Sequence, residues 1–541
     1  MAREGNVDVL IVGGGTSGGI VASHLAERGF SVVCLEQGRW VNQGELPGDK
    51  PEYELVGAKD WWPDPNVRGR DEDYPCDNSD ADVVPWMYNG VGGTSVLYAA
   101  CWSRLLPSDF RVGTLDGVAD DWPITYVDLQ PFYEETDREM GVSGLAGNPA
   151  YPPGAPPPLP PLPINAPARR MAEAMNRLGW HWWPGYNSIP SRDYGNQKQC
   201  VRYGICRMGC PEGAKASTDI THWPHAQRHG ARLVTGARVN EIVVNERGLA
   251  TGATYIDREG REHFQAASLV ILAANGVGTA RLLLLSTSPR FPAGLANSSG
   301  LVGKRLMMHP YATVVGIYDE FLEDWLGPAG ELIEAMQFYE TDTSRGFVRG
   351  TKWQVMPTGG PLGTVNRWTG GEGVADEEFW GEPFARKVKD SIGHMIELAI
   401  IPEDLPRESN YVTLDSTLED SDGLPAPKVT YRIDDNTQRM VDWNCRRALE
   451  AHEAAGAKKA WITGRAWAAG HLLGTARMGD DPEISVVDRY GRAHDVSNLY
   501  IVDGSVFVTA GAVNPTSTIC ALAKRCATHI VEHARLEAVP A

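Results

Sequence analysis

The stretch Asp8-Val-Leu-Ile-Val-Gly13-Gly-Gly15-Thr-Ser-Gly18-Gly constrains this chain more than any other. A short apolar run without alternation asks for a strand buried on both faces, as in the parallel sheet of an α/β layer. Gly13 permits the tight turn, Gly15 lets the backbone approach a pyrophosphate, and Gly18 lets the next helix lie close on the strand. Thr16 and Ser17 open that helix, whose unpaired N–H groups favour an anion. A second strand, 31–35, follows the helix and ends at Glu36, placed to bond a ribose hydroxyl. Together these elements predict an adenine dinucleotide site. A glycine turn without ligand leaves Glu36 unexplained. The unit serves FAD and NAD alike, and its place at the N-terminus favours FAD.

The rest of the chain narrows the class. At 541 residues there is material for two domains. A hydrophobic share of 42% with 22% charged residues is that of a soluble enzyme. A formal net charge of −19 argues against nucleic acid and anionic membrane as partners. No run approaches the roughly 18 apolar residues of a membrane helix. The run at 7–12 is too short for a signal-peptide core. The expectation is a soluble, cytoplasmic protein, with export on a signal-bearing partner left open. Nine cysteines, an odd number, suggest no disulfide framework. Cys34, Cys101, Cys520 and Cys526 fit buried thiols.

Along the chain, residues 39–84 are rich in Pro, Asp, Trp and Gly without periodicity. Nine prolines between Tyr151 and Pro167 predict an extended surface arm. Residues 232–234, 241–244, 251–256 and 263–266 alternate like a β-meander. A fully buried strand follows at 269–274, then a leucine-rich helix at 278–286. Between about 311 and 460, Trp353, residues 358–363 and residues 368–373 suggest long loops around a pocket. The end of the chain, 498–531, reads as strand, loop and a helix from Thr516.

Four further segments resemble the glucose-methanol-choline (GMC) oxidoreductase family, over essentially the whole chain. Asn89-Gly-Val-Gly92-Gly93-Thr94-Ser95 is similar to the family's first signature, a glycine turn against the flavin ring, although Tyr88 and Tyr98 depart from it. Ala274-Asn-Gly276-Val-Gly278 through Ser286 resembles the second signature. Ser299-Gly-Leu-Val-Gly303 through His309-Pro, and 410–425, resemble the segments that follow. The resemblance implies an α/β fold with a Rossmann-like, discontinuous FAD-binding domain at 1–110, 197–310 and 461–541. An α+β substrate-binding domain with an antiparallel sheet would occupy 111–196 and 311–460. Val239, Asp503, Gly504, Pro515 and Thr516 join the expected cofactor contacts.

His471-Leu-Leu-Gly474-Thr475-Ala-Arg477-Met478-Gly479 resembles a segment of the family's sugar-oxidising branch. There a His/Asn pair, here His471 and Asn514, faces the substrate, as in pyranose oxidases and glycoside 3-oxidases. Physical chemistry supports the pair independently. Alcohol oxidation removes a proton from oxygen and a hydride from carbon. Imidazole, with an ordinary pKa of about 6.5, suits the first task, so the rate is expected to rise with pH between about 6 and 7. An amide binds the hydroxyl without competing for the proton. His309 reads as flavin-domain structure. Trp353, Trp368, Phe379 and Trp380 are candidates for stacking on a sugar ring.

Two departures from the family pattern carry information. Some members bind FAD covalently through a histidine, and Leu97 occupies that position, so non-covalent FAD is expected. Cys200, Cys206 and Cys210 resemble the cysteine run of iron–sulfur-bearing relatives without its adjacent Cys-Cys. Structural thiols are expected, with a cluster or zinc as alternatives and no metal assigned. The predicted activity is FAD-dependent oxidation of a CH–OH group of a sugar or glycoside by hydride transfer to flavin N5, passing electrons to O2 or another acceptor. The alternatives are a dehydrogenase of a non-sugar alcohol coupled to a quinone or cytochrome, an NAD-linked enzyme, and a non-catalytic flavin protein. A second GxGxxG would favour the NAD reading, and none is present.

Overall fold

The computed structural model describes residues 2–70, 72–374 and 379–533, without the side chains of 2–4 and 466–469. Strand Ala2–Val12 is the spine of a seven-stranded sheet. Val9, Leu10, Ile11 and Val12 are all buried, as the unbroken apolar run requires. The strand runs parallel to Val32–Glu36 on one side and to Glu262–Leu272 on the other, and Arg232–Thr235 extends the parallel edge beyond Val32–Glu36. Helix Thr16–Glu27 covers one face and packs on helix Thr516–His533.

Here the sequence reading needs two corrections. Arg232–Thr235 is an outer strand of the parallel layer, not the first strand of a meander. Residues 263–266 and 269–274 are not two strands; one strand, Glu262–Leu272, changes partner midway. Its first half pairs antiparallel with Ala250–Ile256, and its second half pairs parallel with Leu499–Ile501. Burial is unbroken from Phe264 to Leu272, and only the residue types change, from mixed polar and apolar at 262–268 to wholly apolar at 269–272, so the pattern reads as two elements.

A six-stranded antiparallel sheet forms the second layer, with Lys459–Leu473, Met307–Ile317, Met395–Pro402 and Thr351–Met356 as its main strands. Helices Asp435–Ala454 and Ala166–Leu178 cover its outer face. Trp353 therefore stands on a strand and Trp368 on helix Pro361–Thr369, where long loops were expected. The proline-rich stretch is irregular up to Asn165, which caps helix Ala166–Leu178 by accepting the Ala168 N–H at 3.0 Å. Pro167 sits in the first turn, where its missing N–H costs nothing.

Candidate active site

A cavity of about 640 Å³ extends from the glycine turn after strand Ala2–Val12 to the inner face of the six-stranded sheet. It opens at the C-terminal ends of parallel strands, where α/β sheets bind ligands. Gly13, Gly15, Thr16, Ser17, Glu36 and Val239 line it, as do Gly93, Thr94, Ser95, Asp503, Gly504, Pro515 and Thr516. His471 and Asn514 are on the same wall system. Gly18 and Gly92 stand behind the wall. A Cβ on Gly18 would lie 2.0 Å from the Gly13 carbonyl oxygen, so that glycine serves packing. The Gly92 N–H donates to the Gly14 carbonyl at 2.9 Å and ties the two glycine turns together.

The nucleotide end is made mostly of backbone. Gly13 has φ +103°, a region that L side chains rarely adopt. No side chain caps the first turn of helix Thr16–Glu27, and no acidic residue occupies it, so its N–H groups stay available to an anion. Glu36 accepts the Gly14 N–H at 2.7 Å and the Gly38 N–H at 2.8 Å, one on each carboxylate oxygen. Burial raises its pKa and the two amides oppose that rise. The carboxylate thus holds the turn as well as facing the cavity. Asp503 accepts the Ser505 N–H and hydroxyl on one oxygen and Thr279 Oγ1 on the other. Backbone donors, an anion-seeking helix end and a carboxylate at ribose distance along the chain are a donor set that fits a dinucleotide.

The reacting end is made of side chains. His471 lies on strand Lys459–Leu473 with φ +79°, a strained conformation of the kind stored at functional sites. Its Nδ1 is 2.8 Å from Nδ1 of His309, whose Nε2 is 2.6 Å from the Gly511 carbonyl. A carbonyl only accepts, so His309 carries its proton on Nε2. Burial, with the Lys352 charge in the same direction, lowers the His309 pKa to about 4, so that ring is neutral and its Nδ1 is a lone pair. His471 must then donate from Nδ1, which leaves its Nε2 as a proton acceptor. Burial first, then His309 and Lys352, hold the His471 pKa well below its ordinary value. The amide of Asn514 donates from Nδ2 to Tyr311 Oη at 2.8 Å and accepts from Lys352 Nζ on Oδ1 at 2.8 Å.

The loop carrying Gly511 and Asn514 is braced from below. Tyr339 accepts the Ala512 N–H at 3.0 Å and donates to Asp109 at 2.7 Å. Asp109, Asp116 and Glu403 surround the buried Arg349 guanidinium. His309, read from sequence as flavin-domain structure, bonds directly to His471. Lys352, Tyr311 and this brace gave no sequence cue, because a lysine or arginine on a strand reads as solvated.

The four proposed stacking aromatics lie elsewhere. Trp353 packs among Trp180 and Phe338, and Trp368 stacks on Trp461. Phe379 meets Phe384, and Trp380 is 74% exposed. Tyr98 and Tyr311 line the cavity instead. Cys200, Cys206 and Cys210 are free thiols, and the described residues contain no group of three His, Cys, Asp or Glu able to hold a metal. Lys215, in the same segment, donates to the carbonyls of Val96, Tyr98 and Cys206 and so fastens the cysteine loop to the cavity floor. Leu97 is buried against the cavity.

Two family profiles, both described as GMC oxidoreductase, match residues 163–311 and 406–523. The chain is 40% identical to 2-methyl-1,2-propanediol dehydrogenase of Mycolicibacterium austroafricanum, over 97% of this chain and 95% of that protein. It is 28% identical to the fructose dehydrogenase large subunit of Gluconobacter japonicus, over 97% and 98%. Among solved structures, pyridoxine 4-oxidase from Mesorbium loti superposes with a TM-score of 0.65 at 19% identity, covering 98% of this chain and 100% of that one, a likeness of fold. No helix among the described residues is long and apolar enough to cross a membrane. With the dinucleotide cradle, the cofactor is FAD, and the chain belongs to the GMC oxidoreductase family.

Proposed function

We propose that this protein oxidises a CH–OH carbon of a sugar or glycoside, with non-covalent FAD, His471 as base and Asn514 as holder of the substrate oxygen. The observation that carries the reading is the imidazole chain Gly511–His309–His471, which leaves His471 Nε2 as a proton acceptor beside Asn514. When bound, FAD supplies the hydride acceptor, flavin N5. Thr16 and Ser17 would hold its pyrophosphate from the helix N-terminus and Glu36 its ribose, with Gly93 to Ser95, Val239, Asp503, Gly504, Pro515 and Thr516 along the rest. Leu97, without a nucleophile, leaves no bond to the flavin at that position.

His471 Nε2 takes the hydroxyl proton, and the Asn514 N–H holds the oxygen as negative charge grows there. The cavity wall beyond the pair carries Thr313, Gln354, Glu397 and Thr463, hydrogen-bonding groups suited to further hydroxyls. A second reading, a non-sugar alcohol dehydrogenase passing electrons to a quinone or cytochrome, is supported by the 40% identity to a diol dehydrogenase.

A panel of 2-methyl-1,2-propanediol, fructose, a glycoside and an aryl alcohol, each with O2 and with a dye acceptor, tests both. Bleaching of the flavin by fructose or the glycoside supports the sugar reading. Bleaching by the diol alone, with turnover supported by dye and not by O2, moves the protein to the second. Acid precipitation should leave the yellow colour in the supernatant; colour in the pellet would overturn non-covalent attachment.

A further inference from the structure

We propose that Lys352 is a positioning residue for this oxidation: it decides which end of the Asn514 amide meets the substrate oxygen and places a positive charge directly behind that amide. The proposal rests on the role given to Asn514 above.

Lys352 stands on strand Thr351–Met356 and is completely buried. Its ammonium donates to Glu331 Oε2 at 2.6 Å, Asn514 Oδ1 at 2.8 Å and Ser103 Oγ at 2.9 Å. An ammonium has three donors and no acceptor, so all three are used and only the amide oxygen can face it. The NH2 group is turned the other way, with one N–H on Tyr311 and the second left for a ligand. Asn514 therefore offers the substrate a donor. Reversed, it would offer an acceptor, which stabilises the neutral hydroxyl and opposes its deprotonation. A donor polarised by a buried cation gains most as charge develops on the oxygen, so its contribution falls on the transition state.

The surroundings suit that task better than they suit stability. A buried Lys–Glu pair is a poor stabiliser, because desolvation offsets most of its attraction. A hydrophobic pair of equal volume would pack as well and would not touch Asn514. The charged and titratable groups around Lys352 are Glu331, Glu334, Cys101, His309 and His471. Burial and the adjacent Glu331 push the Glu334 pKa up, against the pull of Lys352. The Lys352 cation stands on the side of the reacting pair. That cation also adds to burial in keeping both imidazoles neutral.

The test compares Asn514→Ala, Lys352→Met, Lys352→Met/Glu331→Gln and Lys352→Met/Asn514→Ala as FAD-loaded holoenzymes. The double change at 352 and 331 removes the Glu331 carboxylate together with the ammonium it pairs with, so it remains informative where Lys352→Met alone fails to fold. The probe is 2-methyl-1,2-propanediol or fructose, whichever bleaches the parental flavin faster. The maximal bleaching rate should fall about 10²-fold in the Lys352 variants, the scale of losing one preorganised donor, with half-saturation little changed. Lys352→Met/Asn514→Ala should be no slower than Asn514→Ala, since the two act as one unit. In substrate-free holoenzyme, the acid transition of the flavin spectrum should move to higher pH in Lys352→Met. A parental rate in Lys352→Met/Glu331→Gln beside a slow Asn514→Ala would overturn the Lys352 proposal alone, as would losses that multiply. A parental rate in Asn514→Ala would remove the role of Asn514 as well.

Discussion

The two ends of the cavity are built from different materials. The nucleotide end is chiefly a backbone construction: glycines, a helix N-terminus and the carboxylates of Glu36 and Asp503, drawn mostly from residues 13–36 and 93–95. The reacting end is a side-chain construction assembled from residues far apart in sequence. His309 and His471 are 162 positions apart, and so are Lys352 and Asn514. A ligand with an invariant shape can be met by rigid main chain. Proton removal from an alcohol needs tuned protonation states, and only buried side chains with chosen neighbours supply those.

The sharpest way to break the comparison is His471→Ala. It should leave FAD content at the parental level and slow flavin bleaching by about 10²–10⁴-fold, the usual worth of a positioned base. Stopped-flow absorbance measures it, and near-parental rates in loaded protein would move the base elsewhere.

Next is acid stability. His309 is buried neutral, with its pKa lowered to about 4 from an ordinary value near 6.5. The unfolded chain therefore binds the extra proton first. Stability should fall as pH drops from about 6.5 and level off below about 4, by about 3 kcal/mol for this residue. Urea unfolding of the apo-protein at several pH values reads this slope, and His309→Gln should flatten it.

Glu36→Ala tests the other end. Loss of a charge-assisted hydrogen bond worth roughly 1.5–3 kcal/mol should weaken FAD retention about ten- to a hundredfold. Because Glu36 also holds the Gly14 and Gly38 amides, part of the loss should come from a looser turn. Glu36→Gln, which can keep one of those bonds, should lie between. Equilibrium dialysis measures retention, while the bleaching rate of the loaded fraction should stay parental.

The smallest effect expected is a near-absence of change. A base with a depressed pKa is already neutral at pH 6, so bleaching should vary by less than about twofold between pH 6 and 8 and slow only in acid. An unperturbed imidazole would instead show its limb between about 6 and 7. A limb in that range would mean that bound cofactor or substrate returns the His471 environment to something closer to water.

What the sequence determined by itself follows the same division. The glycine turn, Glu36 and the order of the family-like segments are local patterns whose geometry is set by φ and by neighbouring residues in the chain, so cradle and cofactor class were readable. His471 and Asn514 are singled out through a resemblance, whereas the burial that lowers the His471 pKa is not written locally. The partner change within strand Glu262–Leu272 was hidden for the same reason: a strand's neighbours are non-local. Trp353 and Trp368 were misplaced because an aromatic side chain is as much at home in a packed core as on a sugar. Only the tertiary structure decided that His309 fixes the His471 tautomer and that Lys352 meets the Asn514 amide. Both depend on burial and on contacts closed across most of the chain, and a proton or an amide is oriented by what surrounds it in space.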